Sequence, residues 1–197
     1  MKNLKNIFLA IFALCFATIF TSCGYNTMVE EREAVDRQWA EVENQYQRRY
    51  DLVPNLVATV KGYATHEESV FKEIADARAA LGGTVTLDSS ITDDPEKFEA
   101  FQKAQNNLGN SLGRLLALTE SYPDLKAKEN FKDLSSQLEG TENRIATARN
   151  RYNEAVRVYN TAIQKFPSVI TAKIFGFKTK SYFTADVASH TAPEVSF

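Results

Sequence analysis

Apolar residues recur every seven positions from Val35 to Leu81, and this repeat constrains the fold more than any other feature of the chain. Two rows of residues run side by side, and the spacing between the rows alternates between four and three. That alternation is typical of an α-helix that buries one face along its length. The rows are Val35, Val42, Arg49, Leu56, Tyr63, Val70, Ala77 and Trp39, Tyr46, Val53, Val60, Glu67, Ile74, Leu81.

Pro54 lies inside this repeat. Proline lacks a backbone N–H group and bends a helix when it occupies an interior position. Because the two rows keep their phase on both sides of Pro54, the pattern predicts one continuous helix with a kink. We expect this helix to run from about Met28 to Leu81, where a Gly-Gly pair follows.

Two more long helices follow. Asp94 and Pro95 are typical of a helix N-terminus, and the second helix is expected to run from Asp94 to Pro123. The heptad phase is lost across Pro123, so we expect a turn there and a third helix that ends at Pro167. A short helix is expected after Pro167, and the last dozen residues are expected to be loosely ordered. The tail residues expected to pack on the bundle are Phe175, Phe177, Tyr182 and Phe183. These patterns predict an all-α fold, an antiparallel bundle of three long helices with a short C-terminal helix and tail.

The first 22 residues differ from the remainder. Two lysines precede Ile7–Phe20, fourteen residues without a charge, which is the length of a secretory signal core. Spanning a bilayer takes about 20 residues. The order "FTSC-G" resembles a bacterial lipobox, which predicts cleavage before Cys23 and lipidation of that residue. The alternative is an uncleaved anchor. We therefore divide the chain into a signal peptide or anchor (1–22) and a helical domain (23–197), tethered outside the cytoplasm.

The charge balance argues against a nucleic-acid partner. The formal net charge is −2, and no basic stripe is present. The only other cysteine, Cys15, lies in the apolar N-terminal segment, so residues 23–197 have no second thiol for an internal disulfide. Attraction to anionic lipid by overall charge is not expected, so membrane attachment is assigned to the N-terminus.

Arg49 and Glu67 are the two charged residues of the heptad rows. They are eighteen residues apart, about 27 Å along a helix, and cannot pair within it. Each residue either has a buried partner on another helix, where it would fix the register, or lies where the rows drift to the edge of the bundle. The sequence leaves these two alternatives open.

Several segments together resemble one family. The stretches "YNTMVEEREAVDRQWAEVE", "QRRYDLVPNLVATVKGYATHE", "LEGTENRIATARNRYNEAVRVYNTAIQKFP" and "GFKTKSYF" look like the LemA family of bacterial membrane-associated proteins. The resemblance implies a helical bundle behind an N-terminal membrane segment, and the biochemical function of the family is not established. The positions that match the family signature are Arg49, Asp51, Pro54, Asn55, Tyr63, His66 and Glu67.

The residues favour a scaffold or protein-interaction module over an enzyme. No glycine-rich phosphate loop occurs, and "HEE" at 66–68 is not the zinc pattern of two histidines one turn apart. We expect no cofactor, no metal and no catalytic group. The alternative function is a metal-dependent or enzymatic accessory factor that uses His66 and Glu67.

Helix lengths suggest where a partner could bind. If the second helix descends from the end of the first only to the level of Pro54, the half of the first helix before Pro54 has no cover. That half carries an apolar stripe, which would then be exposed and would pair with a second copy or a partner helix. The alternative is that the chain doubles back or the tail covers the stripe. The stripe consists of Val35, Trp39, Val42 and Tyr46.

Overall fold

Helices form every regular element of the described residues. The structure, a computed structural model, describes residues 2–64, 66–82 and 89–184, with the backbone alone for residues 2–23. The elements are α1 (Lys2–Lys61), α2 (Glu68–Ala80), a 3-10 helix (Ser89–Asp93), α3 (Pro95–Thr119), α4 (Pro123–Lys126), α5 (Glu129–Gln164) and α6 (Ser168–Ile174). The predicted all-α class and the short helix after Pro167 are confirmed.

The first helix ends earlier than the heptad rows predict. Pro54 does lie inside α1, and the row residues are buried as far as Val60. The helix then stops at Lys61, and Tyr63 is 42% exposed. Gly62 follows Lys61, and the amides of Tyr63 and Ala64 both bond to the Val60 carbonyl, which closes a turn. The prediction of one helix to Leu81 is therefore wrong.

The heptad rows keep their phase beyond the end of α1 because a separate helix, α2, continues the apolar pattern. α2 is amphipathic in its own right and buries Ile74, a residue of the second row, to 1% exposure. It packs against α3, where Arg114 forms an ion pair with Glu73 at 2.9 Å. The guanidinium of Arg78 lies 4.1 Å from the ring centre of Tyr50, so α2 runs back along α1.

This reversal sets the direction of α3. Trp39 of α1 contacts Phe98 and Phe101, and Arg49 contacts Gln105, so α3 rises parallel to α1. The antiparallel arrangement of three helices is therefore wrong, since α2 runs back along α1 before α3 begins. The second long helix was placed correctly along the chain, because the Asp94 side chain accepts bonds from the amides at 96 and 97.

α5 runs antiparallel to α1 along most of the bundle. Arg49 pairs with Glu142, whereas Trp39 contacts Tyr152, so the numbering rises on one helix as it falls on the other. The predicted turn at Pro123 is present, with the short α4 between α3 and α5. α5 ends at Gln164, and Phe166 beyond it is 82% exposed.

Two apolar cores lie along α1. The proximal core, nearer the N-terminal end of α1, is Met28, Val35, Trp39, Val42, Tyr46, Phe98, Phe101, Ile145, Ala148, Tyr152, Val156, Tyr159, Ile163, Ala172 and Phe183. The distal core is Val53, Leu56, Val60, Ala64, Ile74, Leu108, Leu112, Leu115, Leu125, Phe131 and Leu138.

The predicted stripe is part of the proximal core and is not exposed. Val35, Trp39, Val42 and Tyr46 are between 0% and 2% exposed. α3 begins beside Trp39, α5 runs down to the level of Met28, and Phe183 of the tail stacks on Trp39. The argument for an interaction site at the stripe is therefore wrong, because it depended on this half of α1 having no cover.

The tail residues divide into two groups. Phe183 is 6% exposed, and Phe177 packs at the edge of the proximal core. Phe175 and Tyr182 are 60% and 42% exposed, so neither is buried, and the ring of Phe175 contacts the ring of Tyr25 on α1. The expectation of a loosely ordered C-terminus falls on residues outside the described part of the chain.

Candidate functional site

A polar layer separates the two cores. Arg49, only 3% exposed, donates from Nη1 to Glu142 at 3.2 Å and from Nη2 to the Gln105 carbonyl at 3.0 Å and to its side-chain oxygen. A Cβ atom on Gly109 would lie 3.4 Å from Arg49 Nη1, so the absence of a side chain there leaves room for the guanidinium. Arg49 thus links α1, α3 and α5 at one level, as a buried partner on another helix would require.

An open groove lies beside Arg49, between α3 and α5. Its volume of about 420 Å³ is within the range of small-ligand sites. Gly109 and Gly113 line the α3 side and make the groove wide there. The rest of the lining is mixed: Leu112, Leu116, Leu138 and Ile145 are apolar, and the polar side chains are Tyr46, Arg49, Gln105, Asn106, Asn110, Glu139, Glu142, Asn143 and Arg149.

Three donors at the floor of the groove lack a partner among the described residues. They are the Tyr46 hydroxyl, Arg49 Nε and Gln105 Nε2, on side chains that are 2% to 3% exposed. Burial raises the pKa of Tyr46, with Arg149 and Arg49 opposing, so its hydroxyl stays protonated. A buried donor without a partner costs about 1–3 kcal/mol. The floor therefore favours groups that accept hydrogen bonds, such as carboxylates and carbonyls.

The other signature positions lie elsewhere. Asp51, Pro54 and Asn55 are on the exposed face of α1, where Asp51 accepts a bond from Gln47 at 2.7 Å. Arg49 is the one signature residue in the groove. The structure therefore does not gather the signature into a single site.

Tyr63, His66 and Glu67 lie in the turn between α1 and α2. His66 is exposed and Glu67 is half-buried at the N-terminus of α2, where its carbonyl accepts from the amide of Val70. For Glu67 this matches the alternative in which the row leaves the core. In the part of the chain that the structure describes, no three His, Cys, Asp or Glu side chains are grouped to hold a metal.

A second polar cluster holds the C-terminal segment, and the sequence did not reveal it. Lys180 is only 7% exposed, and its ammonium lies 2.8 Å from Asp93 and 3.8 Å from Asp36. It also donates to the Thr92 hydroxyl at 2.9 Å. Burying this lysine is possible because its charge and its donors have partners.

Side-chain amides of α5 bind the backbone of the same segment. Asn160 bonds to both the N–H and the C=O of Lys180, and Asn153 bonds in the same way to Phe183, all at 2.9 Å. Seven helical residues and three extended residues both span about 10 Å, so the two spacings match. The sequence signal of this arrangement is the repeat of Tyr-Asn at 152–153 and 159–160.

Comparison with known proteins identifies the family. The model of the LemA family matches residues 38–197, which is most of the chain. The chain belongs to the LemA family. Its helical fold and this membership support the prediction of a membrane-associated helical protein.

The curated relatives are named as magnetosome proteins. The chain is 34% identical over 182 residues to the magnetosome proteins MamQ 1 and MamQ 2 of Paramagnetospirillum magneticum, covering 85% of this chain and 67% of each relative. It is 31% identical to the magnetosome protein MamQ of Magnetospirillum gryphiswaldense, over 94% of this chain and 74% of that protein.

The mode of membrane attachment lies outside these findings. Across the described residues, no helix has both the length and the apolar character needed to span a membrane. The side chain of Cys23 is outside the described part, as are those of the apolar segment Ile7–Phe20.

Proposed function

We propose that this LemA-family chain is a membrane-tethered, extracytoplasmic interaction module of the bacterial envelope. Its groove over Arg49 binds a partner protein through a segment rich in carboxylate or carbonyl oxygens. The observation that carries the proposal is the set of three buried donors without a partner at the groove floor. Acceptors brought to that floor, with a small rotation of the side chains, would satisfy them.

The lining of the groove supports binding rather than catalysis. Among the described residues that line the groove there is no serine, cysteine or histidine, the residue types that most often serve as nucleophile or base. Its charged residues, two arginines and two glutamates, can orient a polar segment by complementary charge. The glycines of α3 leave room for the backbone of a partner to approach.

The tether supports presentation of this groove at a fixed height. α1 is one helix from Lys2 to Lys61, so the apolar N-terminal segment and Arg49 are on the same rod. Phe20 and Arg49 are about 40 Å apart along it. A groove held at that height on a bundle fits a module that contacts other proteins of the envelope.

Photo-cross-linking in bacterial membranes tests the groove. A cross-linking amino acid at Asn110, an exposed residue of the lining, is expected to capture a partner, whereas one at Lys103, exposed on the same helix outside the groove, is not. Gly113→Leu fills the groove, since a Cβ there meets nothing within 4 Å. It should abolish the cross-link without lowering the melting temperature.

Gly140→Leu is the matched control, because Gly140 is a helical glycine outside the lining whose added Cβ would meet only the end of Arg144. It should leave capture unchanged. Equal capture at Lys103, or capture that survives Gly113→Leu, would contradict the groove as the binding site.

The anchoring mode has its own test. Cys23→Ser is expected to abolish incorporation of labelled lipid and to leave the precursor uncleaved, because lipid is added to the thiol before cleavage. Wild-type protein that carries no lipid label and keeps residues 1–22 would instead identify an uncleaved anchor.

A further inference from the structure

α6 turns its small side chains toward the bundle and its large apolar side chains toward the solvent, the reverse of the usual pattern for a surface helix. α6 turns small residues, Thr171 and Ala172, toward the bundle and leaves Ile170 and Ile174 52% and 71% exposed. Phe166, Phe175 and Tyr25 beside it are 82%, 60% and 36% exposed. We call these five exposed residues the α6 surface. A concentrated apolar surface of this kind marks a contact site.

The α6 surface lies at the end of the bundle from which the apolar N-terminal segment extends. The rings of Tyr25 and Phe175 are 4.8 Å apart, and a Cβ on Gly24 would lie 3.5 Å from Ser168 Oγ. Tyr25 is five residues beyond Phe20 on the same helix, about 7.5 Å along its axis.

That height matches the headgroup region of a bilayer. Each headgroup region adds about 5–7 Å to the hydrocarbon core, and interfacial helices lie about 5–10 Å into this boundary. A lipid on Cys23 would place Tyr25 at the same level, two residues away. Both modes of anchoring therefore bring the α6 surface to the membrane.

The charge of the segment that carries α6 fits an anionic lipid surface. Lys165, Lys173 and Lys178 are exposed around the apolar residues. The stretch from residue 164 to 184 contains no aspartate or glutamate, although the chain has 25 acids against 23 bases. Lysines near a surface of anionic lipid attract it by about 1 kcal/mol each.

We propose that the α6 surface inserts into the headgroup region of an anionic bilayer as a second membrane contact. Phe166, Ile170, Ile174 and Phe175 enter the boundary with the acyl chains, and the three lysines bind lipid phosphates. Two contacts, the N-terminal tether and α6, fix the tilt of the bundle. The inference depends on a tether at the N-terminus and not on the groove over Arg49.

Quenching by brominated lipid tests this contact in the full chain reconstituted into vesicles of phosphatidylethanolamine and phosphatidylglycerol. Phe175→Trp places a reporter on the α6 surface. Tyr63→Trp is the matched control, because Tyr63 is 42% exposed at the opposite end of the bundle. The only native tryptophan, Trp39, is 1% exposed, and its signal is subtracted with the wild-type chain.

We expect at least twofold stronger quenching at position 175 than at position 63. Replacing phosphatidylglycerol with phosphatidylcholine should weaken it, and unchanged quenching would overturn the role of the lysines. Equal quenching at both positions would overturn the contact itself. A blue shift of the emission of the tryptophan introduced at position 175 that depends on protein concentration, without quenching by bromine, would show that a second copy of the chain covers the α6 surface. That result would also overturn the membrane contact. Far-UV circular dichroism confirms that both variants keep their helices.

Discussion

The proximal and distal halves of the bundle share the same long helices but are packed differently. Seven of the fifteen proximal core residues are aromatic, against one of eleven in the distal core. The ring centre of Trp39 lies 5.5 to 6.2 Å from the ring centres of Phe98, Phe101, Tyr152 and Phe183. The distal core instead consists mainly of leucine and valine, covered by α2.

The two halves also differ in what closes them. α2 follows α1 directly, so the distal half is closed by contacts between residues that are close together in the sequence. The proximal half is closed by the segment 177–184, whose backbone is bound by Asn153, Asn160 and Gln102. The proximal half therefore depends on contacts between distant parts of the sequence, and we expect its loss to release the C-terminal segment.

The largest effect is expected from Trp39→Ala. Removing a fully buried tryptophan costs about 3–5 kcal/mol, and Phe183 would lose the ring on which it stacks. We expect a large fall in the free energy of unfolding together with faster proteolysis of residues 177–184. Leu56→Ala in the distal core should cost less and leave that segment protected. Equal proteolysis in both variants would show that the two halves unfold as one unit.

The polar layer between the halves gives the next effect. Arg49→Ala leaves Glu142 and the Gln105 carbonyl without their donor, and should cost about 3 kcal/mol, the lower end for a buried pair because Glu142 is half-exposed. Glu67→Ala, in the turn, should change stability by less than about 0.5 kcal/mol. Urea unfolding of the two single variants measures both changes in the free energy of unfolding. Two small shifts would mean that Arg49 does not fix the register.

A smaller loss is expected from Asn160→Ala. The change leaves the N–H and C=O of Lys180 without partners in a buried position, which should cost about 2 kcal/mol. Asn150, exposed on the same helix, is the control, and its change to Ala should have little effect. Hydrogen exchange at the amide of Lys180 provides a second measurement. An exchange rate that stays slow in the Asn160 variant would exclude the bond as the source of protection.

The smallest effect concerns Asp36, in the cluster that holds Lys180. Burial raises the pKa of this carboxyl above its ordinary 3.8, with Lys180 opposing and Glu33 and Asp93 adding to the rise. A carboxyl whose pKa is higher in the folded state than in the unfolded state stabilises the fold at pH values below the unfolded-state pKa. This stabilisation is lost as the pH rises through the folded-state pKa. Asp36→Asn should therefore be more stable than wild type by less than about 1 kcal/mol at pH 7, with a smaller gain near pH 4.

Thermal melting of the wild type and the Asp36 variant at both pH values measures this difference. Asp93→Asn is the contrasting change, because it removes the carboxylate 2.8 Å from the buried ammonium of Lys180 and should destabilise the protein. A gain that is larger at pH 4 than at pH 7 would contradict the assigned direction of the pKa shift.

Sequence periodicity predicted the buried faces well where one helix packs on its neighbours. The row residues from Val35 to Val60 are buried. The prediction of this apolar face depends on local spacing alone.

The candidate site could be predicted only in part. The charge of Arg49 on an apolar row marked it as unusual, but its partners Gln105 and Glu142 lie 56 and 93 residues away in sequence. The groove exists because α3 and α5 both pack on α1 and leave a gap beside Gly109 and Gly113. Neither feature can be derived from the spacing of residues within one helix.

The sequence by itself determined the all-α class, the apolar faces and the cap of α3 at Asp94, because helix periodicity and capping depend on neighbours within a few residues. Only the tertiary structure decided that the chain turns at Gly62, that α3 runs parallel to α1, and that α3, α5 and the tail cover the half of α1 before Pro54. The heptad rows pass through the turn unchanged, since α2 buries Ile74 at a position in phase with α1. A repeat records which face of each segment is apolar, whereas the direction of a segment depends on contacts between residues far apart in the chain.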